Sequence, residues 1–118
     1  MNETPDSGHL FAPIDRAMPV EVTEILAQGR GPVRIERIVS RGHASPEGFW
    51  YDQAEEEWVA LLSGSATVRF SDHHRALLPG DWLRIPARCR HRVEATDAGT
   101  DTVWLAVFFA PPSQEDKA

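Results

Sequence analysis

No stretch of this chain runs far before a glycine, a proline or a cluster of polar turn residues interrupts it, and between interruptions the apolar residues recur with period two. The clearest case is Ser65 to Phe70, where Ala66, Val68 and Phe70 alternate with Ser65, Thr67 and Arg69. That is the pattern of a strand with one buried face. Val33 to Ser40, Glu56 to Leu62, Ala76 to Leu78, Trp82 to Pro86, Arg90 to Thr96 and Thr102 to Phe109 read the same way, and Pro19 to Leu26 alternates weakly. In Val33 to Ser40 the alternation breaks at Arg37. Turn signals separate the runs at Gly29 to Pro32, Ser63-Gly64, Ser71 to His74, Pro79-Gly80, Ala87-Arg88 and Asp97 to Asp101. Ser63-Gly64 reads as the joint of two antiparallel strands. Seven to nine short strands without a helical period predict an all-β sandwich or barrel of antiparallel strands with little helix.

At 118 residues the chain has room for one domain. We place the barrel at residues 14–112, with a loose arm at 1–13 that Leu10, Phe11 and Ile14 could tether, and a frayed polar tail at 113–118. Eighteen acidic against 12 basic side chains give a formal net charge of -6, which argues against a phosphate backbone as partner and so against nucleic acid. The longest apolar stretch, Val103 to Pro112, is far short of the roughly 20 residues a membrane helix needs, so no membrane association is expected. The polar, acidic start has no basic or apolar leader segment, and the cytoplasm is the expected compartment. The single cysteine, Cys89, cannot close an internal disulfide and reads as a small buried side chain.

Two segments carry a resemblance. Gly80-Asp81-Trp82-Leu83-Arg84-Ile85-Pro86, followed by His91, is similar to the second cupin motif, which has a glycine, five residues, a proline and a histidine five positions on. Arg88 and Ala95 stand where that motif has a glycine and an asparagine. Tyr51 through Gly64 resembles the first cupin motif, whose glutamate and closing glycine, seven positions apart, fall on Glu57 and Gly64. Its two histidines are replaced, by Tyr51 and Gln53 in one spacing the family allows and by Trp50 and Asp52 in the other.

The resemblance covers about Val33 to Phe109. It implies a cupin-type jelly-roll β-barrel, commonly a homodimer, with a divalent metal held between the two motifs at the open end. On that basis the ligand set is Tyr51, Gln53, Glu57 and His91, for iron, manganese, nickel or zinc. With Asp52 in place of Gln53, two carboxylates and an imidazole would form a facial triad of the iron or manganese kind. The family does not imply one reaction.

Glu57 shares a strand face with Val59 and Leu61, and His91 shares one with Val93, so both polar groups can project into one apolar interior. A buried carboxylate there requires a metal, a hydrogen-bonding cation or its own proton. Plainer readings exist for each residue. Glu57 belongs to the run Glu55-Glu56-Glu57, an ordinary solvated acid cluster, and His91 suits a core histidine bonded to a backbone carbonyl. Tyr51 and Gln53 suit packing with an internal hydrogen bond. Trp50, Trp58, Trp82 and Trp104 read as bulk packing, and Arg34, Arg84, Arg88, Arg90 and Arg92 as solvated unless one turns inward to clamp an anion.

Three functions fit. The first is a metal-binding cupin of dioxygenase or isomerase type acting on a small organic molecule, anionic ones included. The second is a metal-free barrel that binds or isomerises its ligand with Tyr51 and His91 as acid and base. The third is a non-catalytic sensor domain.

Overall fold

The structure, a computed structural model, describes residues 7, 9–14, 19–28, 31 and 33–111. The arm before Ser7 and the tail Ser113 to Ala118 therefore lie outside the described residues. Eight strands are described: β1 (Val22–Gln28), β2 (Arg34–Ser40), β3 (Glu56–Ser63), β4 (Ala66–Phe70), β5 (His74–Leu77), β6 (Trp82–Ile85), β7 (His91–Thr96) and β8 (Thr102–Phe109). All pairings are antiparallel, in a five-stranded sheet of order β1-β2-β8-β3-β6 and a three-stranded sheet of order β5-β4-β7. The two sheets make a jelly roll whose core joins Val59, Leu61, Val68, Ile85, Trp104 and Phe108. Among the described residues no helix is long and apolar enough to cross a membrane.

Local sequence explains most of these elements, and two departures have clear causes. Ser63-Gly64 does not close a hairpin: β3 pairs with β6 and β8, whereas β4 pairs with β5 and β7. Gly64, with φ 82°, turns the chain from one sheet to the other against Thr102, whose hydroxyl accepts the Ser65 amide at 3.3 Å. Strand β5 begins at His74, inside the predicted turn, because Arg69 and His74 pair across a tight connection even though His74 and Arg75 are exposed.

Nor is Arg37 a flaw in its strand. Arg34, Glu36 and Ile38 face the interior, while Ile35, Arg37 and Val39 face the other way. Arg37 is only 4% exposed there, pairs with Glu24, and donates to the carbonyls of Leu10 at 3.1 Å and Ala12 at 3.2 Å. The described part of the arm is thus held by its backbone, while Phe11 remains exposed. Strand β2 reads irregularly because both of its faces are covered, so neither can be uniformly polar.

Candidate functional site

Adjacent acids on β3 point to opposite faces, as the pleat requires. Glu56 turns away from the cavity, where its carboxylate accepts from Arg84 Nη2 at 2.7 Å and the Ala87 amide at 3.2 Å. Glu57 turns inward with Val59. His91 opens β7, where it pairs with Phe70 of β4 and also forms a bridge with Tyr51: the Tyr51 amide donates to the His91 carbonyl at 2.7 Å and the His91 amide returns the bond at 3.2 Å. This bridge stacks the two rings, with centroids 5.2 Å apart and planes at 22°. Gln53, two residues on, falls on the same side and reaches the cavity.

Tyr51, Gln53, Glu57 and His91 therefore meet in one cavity of about 220 Å³, walled by Val59, Val68, Ile85, Trp104 and Phe108. Gln53 Nε2 lies 3.4 Å from Glu57 Oε1, the orientation a carboxylate demands because it can only accept. His91 Nε2 lies 3.5 Å from the same oxygen, an ion-pair distance that is long for a direct hydrogen bond. Nδ1 of the same ring is 2.9 Å from the Cys89 carbonyl, which can only accept, so Nδ1 carries a proton.

Burial works against the imidazolium, yet contact with Glu57, the Cys89 carbonyl and the carboxylate's charge outweigh it, and the His91 pKa lies above its usual value. Tyr51 is pushed up by burial and by the charges of Glu21 and Glu57, which keeps its phenol neutral. A raised histidine pKa contributes stability that is fully present below the unfolded value of about 6.5 and is lost as pH rises through the folded value. The unfolding free energy should therefore fall with rising pH across that interval, and His91→Gln should flatten this segment of the profile. Denaturant titrations at a series of pH values check it; an unchanged slope in the variant would assign the dependence to another group.

Asp52 is half exposed and faces Arg88, 3.5 Å away, so the facial triad of Asp52, Glu57 and His91 is not assembled. Trp50 lies beneath the guanidinium groups of Arg69 and Arg90. Among the described residues no three of His, Cys, Asp and Glu come together in a way that could hold a metal ion. The cavity offers one carboxylate and one imidazole in contact, a neutral phenol, and an amide whose N–H end faces the carboxylate. That donor set does not fit a tight transition-metal centre.

Residues that sequence reading passed over also line the cavity: Glu21, Thr23 and Glu36. Arg34 is the inward-facing arginine, but it is engaged by Glu36 at 2.7 Å and by Glu55. The alternation of Arg34, Glu36 and Ile38 was the available signal. It became readable only once Ile38 was known to pair with the buried Trp104.

An antiparallel jelly roll of two sheets whose interior holds an acid from one strand and an imidazole from another defines a β-barrel pocket protein. The chain belongs to the cupin domain family Cupin_2, whose model matches residues 38–108. It is similar to a solved structure from Ralstonia eutropha JMP134, provisionally named a mannose-6-phosphate isomerase, with 48% identity and a TM-score of 0.85 over 90% of this chain and 99% of that one. A cupin superfamily protein from Desulfitobacterium hafniense DCB-2 shares the fold at 21% identity and a TM-score of 0.67, covering 82% of this chain and 84% of that one. So does KdgF from Halomonas sp., at 19% identity and a TM-score of 0.65 over 86% of this chain and 89% of that one. Comparison with curated proteins gave no significant match.

Proposed function

We propose that this chain is an isomerase-type cupin that moves a proton within a small polar organic molecule and does so without a metal. Glu57 takes the proton from a hydroxyl-bearing carbon beside a carbonyl group, and the His91 imidazolium gives one to the carbonyl oxygen. A C–H bond breaks, an O–H bond forms, and the resulting enediol is reprotonated at the neighbouring carbon as both groups reverse roles. The observation that carries this reading is the Glu57–His91 pair, 3.5 Å apart inside a largely apolar cavity.

General acid–base catalysis needs a base and an acid that coexist at the working pH and reach one substrate together. The raised His91 pKa favours that state beside a carboxylate. Gln53 steadies the carboxylate and the Tyr51 ring steadies the imidazole. Support also comes from the provisional isomerase name of the 48% identical structure, since aldose–ketose exchange is a proton shift of this kind. One observation favours a metal-dependent reading. The Cys89 contact fixes the proton of a neutral His91 on Nδ1 and leaves Nε2 free, the arrangement that outer partners impose on metal-bound histidines.

The test is hydrogen exchange in deuterated water with a panel of small hydroxyaldehydes and hydroxyketones, amino sugars among them, followed by proton NMR. The expected result is loss of the proton beside the carbonyl, persisting after dialysis against a chelator and slowed roughly 10²- to 10⁴-fold in Glu57→Gln. Exchange that vanishes on chelation and returns with added metal would replace this reading by the metal-dependent one. No exchange with any member of the panel would remove the catalytic reading.

A further inference from the structure

We infer that the ligand of this cavity carries a positive charge, as a small amine does, and that phosphorylated or carboxylated molecules are excluded. The inference rests on the proton-transfer reading above and names the substrate class for the same site.

Three carboxylates line the cavity, Glu21 from the residue before β1, Glu36 from β2 and Glu57 from β3, against a single guanidinium, that of Arg34. Arg34 is not free to receive an anion. Its Nε donates to Glu36 at 2.7 Å, Nη1 to Glu55, and its guanidinium carbon lies 4.1 Å from the centroid of the Phe108 ring. Counting Glu55 with the lining gives four acids against one arginine, and a protonated His91 still leaves an excess of two negative charges. In a recess with apolar walls such an excess is weakly screened. It repels an incoming phosphate and concentrates a cation.

A point ion does not answer this field, because no three of the described His, Cys, Asp and Glu side chains converge closely enough to hold one. The acids are instead spread around the cavity, on three separate stretches of chain. Tyr51 lines the same cavity as Glu21 and Glu57 and feels the charges of both. A spread negative charge in a cavity also lined by Tyr51, Trp104 and Phe108 suits an organic cation of some extent, held by carboxylates and packed against aromatic walls. A cavity of about 220 Å³ is smaller than the roughly 300 to 1,000 Å³ of drug-sized sites and matches one sugar-sized molecule.

Three probes of one size separate the possibilities: protonated glucosamine, mannose and mannose 6-phosphate, titrated by calorimetry at one slightly acidic pH and at two salt concentrations. Glucosamine should bind at least tenfold more tightly than mannose, mannose 6-phosphate more weakly than either, and only the glucosamine affinity should fall as salt is raised. Glu36→Gln and Glu21→Gln should each shrink the glucosamine-to-mannose ratio by threefold or more. Mannose 6-phosphate binding as tightly as glucosamine would overturn the charge inference while leaving the proton-transfer reading to its own exchange experiment. Failure of all three probes to bind would overturn it as well, and the two outcomes are distinguished by whether the exchange experiment still succeeds.

Discussion

Gly64→Ala should cost roughly 2 to 5 kcal/mol of folding stability, among the largest effects a single methyl group can have. Two costs add. Gly64 has φ 82°, where a residue with a Cβ is strained by about 1 to 2 kcal/mol. The added carbon would also sit 2.3 Å from Thr102 Oγ1, 2.6 Å from Thr102 Cα and 2.9 Å from the Asp101 carbonyl oxygen. Two of these three atoms are backbone, so no side-chain rotation relieves the overlap, and forced overpacking costs typically 1 to 3 kcal/mol more. Relief by moving β8 would break the paired hydrogen bonds that join Ser65 to the Thr102 hydroxyl. Gly48 is the control. Its φ is 77° but a Cβ there meets nothing within 4 Å, so Gly48→Ala should show the conformational cost alone. Thermal unfolding of both variants reads the difference, with the midpoint of Gly64→Ala lower by roughly 10 to 20 °C. Equal losses in the two variants would mean that the β3–β8 corner yields easily, and the account of Gly64 as the tight crossing between sheets would fail.

That crossing also marks where sequence alone stopped being informative. Period-two alternation locates a strand and its faces, and β4 and β8 are legible for that reason. Alternation says nothing about which strand is the neighbour. A glycine between two strand patterns looks the same whether it closes a hairpin or passes the chain to a second sheet, because the deciding contact is with Thr102, 38 positions away. The motif spacing carried the site further than the pattern did. It singled out Glu57 and His91 and left Gln53 and Asp52 as alternatives, which the structure separates: Gln53 faces the cavity and Asp52 faces Arg88. Glu36 was not legible, since a glutamate on a strand is ordinary surface until the strand is shown to have both faces covered, and Glu21, just before β1, sits in no pattern that marks it as cavity-lining. Arg37 is the same lesson in reverse, as its burial depends on carbonyl groups of the N-terminal arm that no sequence pattern announces.

Whether the Glu57–His91 pair serves the fold or the chemistry is decided by a double-mutant cycle. His91→Phe should cost roughly 3 to 5 kcal/mol, because it leaves a carboxylate that is 9% exposed with, among the described residues, only the Gln53 amide donating to it. Glu57→Leu should cost less, on the order of 1 to 2 kcal/mol, since an orphaned imidazole can shed its proton and keep its bond to the Cys89 carbonyl. In the double variant neither ionised group remains, the cavity has room for the larger ring, and Leu and Phe join walls already formed by Val59, Val68 and Ile85. Replacing a buried ion pair by packed apolar groups is often neutral or stabilising by about 1 to 4 kcal/mol, so the double variant should unfold no more easily than the parent while losing ligand binding and proton exchange. A pair that can be exchanged for hydrocarbon with no loss of stability is kept for what it does to a ligand. If the double variant instead lost the sum of the single costs, the coupling would be zero and the two side chains would act independently, and the pair's place at the centre of the proposed chemistry would have to be given up.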